Sequence, residues 1–364
     1  HTHDISLKGM DYAIDSGFIV YNERTYPNFI SLLDELGVAT QPTTMSFSVK
    51  NEQSGLEYNG HSLNTLFSQR RNLLSPAFHR MIRDILRFNR ESLEALALGE
   101  LDISLGEYLA RGNYSEMFIQ QYILPMGAAI WSTDPRQMQS FPARLFIRFF
   151  DHHGLLSIKD RPVWRVIRGG SRAYVKPLTD TFRERIRLRS PVTSIRRLPT
   201  HVEIKARGYQ LERFDAVFIA THSDQALRML ADPSETELSV LGAIRYQENQ
   251  ATIHTDASVL PSSRRAWAAW NYHVLRESRG RVAVTYNMNI LQGIQAPVQF
   301  CVTLNNDSAV SPRHIIKKVV YEHPLYTPET VAAQQRQQEI NGVQRTYYCG
   351  AYWRNGFHED GVVS

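Results

Sequence analysis

Residues 215–224 read Asp215-Ala216-Val217-Phe218-Ile219-Ala220-Thr221-His222-Ser223-Asp224, and the fold class turns on them. The nearly continuous apolar run 216–220 is what a strand covered on both faces of a sheet requires. Thr221-His222-Ser223 then offers hydroxyls where a helix must start, and the pattern predicts a helix over 224–230. A buried strand feeding directly into a helix is the repeating unit of an α/β fold with a parallel sheet.

On the N-terminal side, Val166-Ile167-Arg168-Gly169-Gly170-Ser171 leads into a predicted helix from Tyr174 to about Phe182, and strands are predicted at 186–188, 192–196 and 202–206. The chain opens with strands 4–7 and 10–14 around the turn Lys8-Gly9, then a helix from about Tyr26 to Leu36 that Gly37 stops. Met45, Phe47 and Val49 alternate with serines, as a strand requires. From about Leu63 to Phe150 the pattern is helical: Phe78, Met81, Ile82, Ile85 and Leu86 recur at three- and four-residue spacing, with Arg80, Arg83, Arg87 and Arg90 on the other faces. Residues 250–255, 266–272, 281–286 and 298–304 read as an antiparallel sheet with one buried face, and a last strand at 346–349 precedes a helix beginning near Asp360. The order α/β, helical, α/β, β-rich, α/β implies two domains, each assembled from separated stretches.

The 364 residues suit about two domains, at roughly 150 residues each. Two cysteines, Cys301 and Cys349, are too few for a disulfide framework and fit a reducing compartment. No apolar run reaches the roughly 18–20 residues of a membrane span, and His1-Thr2-His3-Asp4 lacks the features of a signal peptide, so the expected location is cytoplasmic, with a peripheral membrane association as the variant. That variant comes from the two arginine-rich stretches, 70–90 and 183–197, within a net charge of +5. Such stretches attract phosphates of lipid or nucleic acid. No nucleic-acid module accompanies them, so nucleic acid is set aside and an anionic membrane surface is kept. His1, His3 and Asp4, or His152-His153, supply no complete metal-ligand set, and no G-x-S-x-G elbow supports a hydrolase.

Several longer stretches resemble the flavin amine oxidase superfamily of FAD-dependent oxidoreductases, in its bacterial members, a group that also holds phytoene desaturases and protoporphyrinogen oxidases. They are Tyr12 to Asn22 (YAIDSGFIVYN), Thr25-Tyr26-Pro27-Asn28, Leu124 to Ser132 (LPMGAAIWS), Arg168 to Val175 (RGGSRAYV), Trp270-Asn271-Tyr272-His273, and Cys349 to Gly361 around Gly350 and Gly356. The resemblance covers essentially the whole chain. It implies an α/β fold: a Rossmann-like FAD-binding domain from 1–42, 160–232 and 344–364, interleaved with an α+β substrate domain, 43–159 and 233–343, containing an antiparallel sheet and a helical lobe. Members open with a strand, a G-x-G-x-x-G turn and a helix that together hold the pyrophosphate. Residues 1–364 contain no such turn, so the expectation is an incomplete FAD domain, weak flavin affinity and an inactive fragment.

The resemblance also assigns residues. Asp15, Gly17 and Phe18 fall beside the flavin ring, although Gly17 alone reads equally well as a simple turn. Gly169-Gly170 forms a helix-entry turn near the cofactor, and the backbone at Val192 holds the adenine. Ala220-Thr221 ends the buried strand where open α/β sheets bind ligands. Gly350 with Asp360 and Gly361 directs a helix start at the flavin, whose reduced form is anionic. Ala351 stands where many relatives carry an acidic residue. Tyr352, Trp353 and Phe357 line a substrate cavity or, on the plainer reading, pack in the core. His358 is the candidate catalytic group, or a hydrogen-bonded structural histidine. FAD is expected to be non-covalent, because Cys349 lies outside the covalent-attachment motif.

Hydride transfer from a substrate C–H bond to flavin is the implied reaction. A related domain fused to cyclopropane-fatty-acid-synthase-like enzymes points to unsaturated or modified acyl chains. An amine oxidase, a double-bond isomerase and a non-enzymatic basic membrane-peripheral protein remain open as alternatives, as does the oligomeric state.

Overall fold

The computed structural model describes residues 1–157, 159, 161–277 and 280–364. The chain packs as two compact units, 1–25 with 37–174 and 247–323, and 26–36 with 175–246 and 324–364. In this packing 1–25, 37–42 and 161–174 belong with the large sheet and 233–246 and 324–343 with the parallel strands, a different division from the one by expected ligand.

The first unit opens with the hairpin Thr2–Leu7/Met10–Asp15, in which Leu7 lies opposite Met10. Lys8 and Gly9 both have positive φ, the two-residue turn whose twist matches that of its strands. Its main sheet, seven-stranded among the described residues, runs Ile315–Pro324, Tyr246–His254, Cys301–Leu304, Val284–Asn287, Trp270–Val274, Phe47–Asn51, Glu57–Asn59. Phe47–Asn51 joins in parallel beside Trp270–Val274. One face is apolar, through Val49, Tyr272, Val284 and Val302. Along the helical stretch, Ser75 caps the 23-residue helix Pro76–Leu98 and Gly99 ends it in the left-handed conformation. Of the expected apolar face that helix buries Phe78 and Met81, with Phe88 beyond it, whereas Ile82 and Ile85 are half-buried and Leu86 is exposed, a correction to that face. Among the described residues no helix is long and apolar enough to cross a membrane.

The second unit is built on the parallel pair Val217–Ile219/Thr346–Tyr348 and the antiparallel sheet Val192–Arg197, Val202–Ala206, Glu212–Phe214. Its core gathers Ile195, Val202, Ile219, Val240, Leu241, Ile340 and Tyr348. Three expectations are corrected by this unit. Residues 186–188 form no strand: Ile186 and Leu188 are exposed, Leu188 at 81%, and among the described residues no strand pairs with them. The strand at 217–219 is not covered on both faces, because Phe218 is 69% exposed and stacks on Tyr347 across the pair. The predicted helix from Tyr174 is shorter, Val175–Thr179 after a 3-10 turn at Ser171–Tyr174.

Candidate functional site

In the second unit, Val217–Ile219 and Thr346–Tyr348 run parallel, and Cys349 N–H donates to Ile219 O at 3.1 Å. Both segments therefore leave the sheet at the same end. Ala220-Thr221 leads into the helix Ser223–Met229, and Gly350 leads through a turn at 351–353 to the helix His358–Val363. The carboxyl end of parallel strands is where open α/β sheets bind ligands. Ala220, Thr221 and Gly361 are exposed there. Gly350 is required sterically: a Cβ at this position would lie 2.4 Å from Tyr352 Cε1. Val192, half-buried, pairs with Ala206 beside a bulge at Val192/Ser194.

The helix after Gly350 is anchored by its own acids. Asp360 accepts from Phe357 N–H at 3.0 Å, closing the helix start; burial lifts its carboxyl above the usual range, against that hydrogen bond. Glu359 instead caps another helix, accepting from Asn28 N–H, Asn28 Nδ2 and Phe29 N–H at the start of Pro27–Glu35. His358 is buried and stacks on Phe29 at 4.4 Å, with the half-buried Phe357 before it. Tyr352 and Trp353 lie in the apolar core: each is 4% exposed, and Trp353 Nε1 donates to Tyr348 O.

In the first unit, Asp15 is 1% exposed and bonded on all sides. It accepts from Thr2 Oγ1 at 2.5 Å, Ser171 N–H at 2.9 Å, Ser171 Oγ at 3.1 Å and Gln292 Nε2 at 3.4 Å, while its own N–H donates to Gln292 Oε1. Burial raises its carboxyl above the ordinary value, opposed by the bonds from Thr2 and Ser171. Asp15 thus ties the hairpin to the Gly169-Gly170-Ser171 turn. Gly170 must be glycine here, since φ is +84° and a Cβ would lie 2.7 Å from Thr2 Cγ2. Gly169 faces open space, Phe18 is 43% exposed, and Gly17, itself exposed, has the His1 ring against the position a Cβ would take.

One feature of the first unit was missed in the sequence. Ser48, Asn271, Thr285, Thr303 and Thr252 lie directly opposite one another across five strands, all fully buried. A hydrogen-bond chain threads this face: His254 Nε2 to Thr303 Oγ1 (2.7 Å), Thr303 to Thr285 (2.8 Å), Thr285 to His273 Nε2 (2.9 Å). Asp256 N–H donates to His254 Nδ1, so neutral His254 carries its proton on Nε2. With each hydroxyl donating once, the chain ends by donating to His273 Nε2 and leaves the His273 proton on Nδ1. Both imidazoles are neutral at physiological pH: burial holds His254 down at about 4, and burial with Lys50 and His254 nearby holds His273 at about 3. The period-two polar positions 271/273, 285/287 and 252/254 are the signal that could have revealed the stripe.

His273 also lines a cavity of about 560 Å³ whose walls include Leu56, Met117, Leu124, Pro125, Tyr272 and Leu275. Arg136 and Arg281, both exposed, line it as well, and Arg136 pairs with Asp134 at 3.2 Å. Among the described residues no group of three or more His, Cys, Asp or Glu side chains is placed to hold a metal.

Comparison with known proteins follows the same lines. A sequence model of flavin containing amine oxidoreductases matches residues 1–254. A search of curated protein sequences finds no match. Among solved structures, a putrescine oxidase bound to putrescine superposes with a TM-score of 0.65 at 13% identity, covering 100% of this chain and 88% of its own. A fatty acid isomerase from P. acnes that produces CLA gives 0.66 at 13%, covering 99% and 87%. A putative protoporphyrinogen oxidase from Exiguobacterium sp. 255-15 gives 0.65 at 16%, covering 100% and 88%.

The residues fit FAD, the cofactor of this family. Small exposed residues, Ala220, Thr221 and Gly361, line the strand-end edge of the second unit. When bound, FAD supplies the hydride acceptor. The protein's part is positional: Asp15 holds the glycine turn, and Asp360 holds the start of the last helix. The chain is a flavin-dependent oxidoreductase and belongs to the flavin-containing amine oxidoreductase family.

Proposed function

We propose that the substrate is an unsaturated or modified acyl chain bearing a carboxylate, from which hydride passes to flavin. The carrying observation is the cavity of about 560 Å³, within the size range of small-molecule sites, with Leu56, Met117, Leu124, Tyr272 and Leu275 among its walls and Arg281, besides the Asp134-paired Arg136, in its lining. Such walls take hydrocarbon, and an arginine takes a carboxylate.

An amine substrate finds less support. The aromatic pair Tyr352 and Trp353 is in the core, and of the two acids lining this cavity, Glu116 and Asp134, the second is paired with Arg136. A second cavity, of about 620 Å³, is lined by Glu91, Glu94, Glu100 and Asp102. Three of these are engaged, by Tyr114, Arg90 and Arg144. The likeness to a fatty acid isomerase keeps double-bond isomerisation as a second reading on the same substrate class.

The test is anaerobic mixing of the FAD-loaded protein with polyunsaturated fatty acids and, separately, with di- and monoamines. The acyl reading predicts either bleaching of the flavin band or, for isomerisation, a new conjugated-diene absorbance while the flavin stays oxidised. Bleaching by amines alone would overturn it.

A further inference from the structure

We propose that the surface formed by residues 62–90 docks on an anionic lipid bilayer. Leu63, Leu73 and Leu74 project from it at 76%, 49% and 88% exposure. They sit on two elements, the helix Leu63–Leu66 and the 3-10 turn Arg70–Leu74, fastened to each other and to the helix Pro76–Leu98. Arg70 donates to Asn64 Oδ1 at 2.6 Å and Phe67 O at 2.9 Å, and His79 Nε2 bonds Leu73 O at 2.8 Å. The Phe67 ring lies 5.6 Å from that of Phe78. The leucines are therefore held out by a built scaffold.

Charge marks the same surface. Residues 62–90 contain six arginines; Arg87 pairs with Asp84 and Glu91 and Arg90 with Glu91 and Glu94, which leaves Arg70, Arg71, Arg80 and Arg83 without an acidic partner among the described residues. Asp84 is buried and occupied by Ser115 N–H and Arg87. Among the described residues Arg80 and Arg83 have no acidic partner, and both are exposed. Exposed leucines beside unpaired arginines are the two signals that reversible bilayer binding needs: apolar side chains entering the headgroup boundary, and cations for anionic lipid. A nucleic acid would use the arginines and leave the leucines in water.

The test is co-sedimentation of the purified protein with vesicles of phosphatidylcholine alone, and of phosphatidylcholine mixed with phosphatidylglycerol, at low and high salt. The expected result is binding to the anionic vesicles only, weakened by salt. Arg80→Gln/Arg83→Gln should reduce it about 25-fold, at roughly fivefold per arginine near the surface. Leu73→Ser/Leu74→Ser should reduce it about tenfold or more while keeping the salt dependence. Equal binding to both vesicle types, or an unchanged leucine variant, overturns the proposal. So does retention on an oligonucleotide matched by no vesicle binding. Circular dichroism of each variant separates these results from misfolding. The outcome is independent of which substrate reduces the flavin.

Discussion

Replacing Glu237 with glutamine is expected to cost the second unit about 3 kcal/mol or more of stability, the scale for breaking a buried ion pair by removing one partner. The Arg197 side chain has no exposed surface and forks onto Glu237 at 2.6 and 2.9 Å. Tyr348 Oη donates to Glu237 Oε1 at 2.5 Å and Ser234 N–H to Oε2 at 2.8 Å, so the carboxylate accepts four bonds. A glutamine amide would meet two of these donors with its own N–H groups. Asp232, bonded to Arg197 at 2.8 Å, keeps part of the compensation, so the lower end of the usual range applies. The pH dependence follows. Burial alone would raise the Glu237 carboxyl, but bonds from Arg197, Tyr348 and Ser234 outweigh it and hold the group at about 2, against 4.5 unperturbed. A depressed carboxylate contributes fully above its unfolded value and is lost as pH falls through the folded one. Denaturant midpoints should therefore differ most between wild type and Glu237→Gln above pH 4.5, and converge as pH drops toward 2. A constant difference across that window would show that the pair is not the cause.

Asp15→Ala should be comparably severe, about 3 kcal/mol or more in the first unit. The substitution strands the Thr2 Oγ1 and Ser171 N–H donors in a site where Asp15 is 1% exposed, while Gln292 Nε2 keeps Ala13 O at 3.2 Å, and each buried donor left unpaired costs roughly 1–3 kcal/mol. Asp15→Asn, which keeps the shape and one acceptor, should lose less. The pH sign is opposite to that of Glu237. Burial raises the Asp15 carboxyl, so its contribution is greatest below the ordinary value of 3.8 and is lost as pH rises through the raised one. Because the carboxylate also fixes the Gly169-Gly170-Ser171 turn, FAD affinity should fall along with the unfolding midpoint. A variant with unchanged midpoint and unchanged FAD binding would remove Asp15 from both roles.

Local chemistry made some elements readable in advance. Lys8-Gly9 between alternating strands, Pro27 and Gly37 around a helix, and the three- and four-residue apolar spacing after Ser75 each specify their structure within a few residues. The Ile186–Leu188 stretch misled because Arg and apolar residues alternate there as in a strand, yet no strand pairs with it. Phe218 misled because an apolar run cannot say which of its faces is covered. The glycines of the candidate site were legible because only glycine suits Gly170 and Gly350. The work of Asp15 was not: its partners Ser171 and Gln292 lie 156 and 277 residues away. The polar row across the large sheet was likewise hidden, since the register that aligns Ser48, Asn271, Thr285 and Thr303 is a tertiary fact.

The visible absorption spectrum of the purified protein, before and after heat release of any chromophore, tests the central claim most directly. A two-banded yellow spectrum, present as isolated or after adding FAD, with FAD as the only released flavin, is the predicted result. A protein that is colourless as isolated and stays so after incubation with FAD and gel filtration would contradict it.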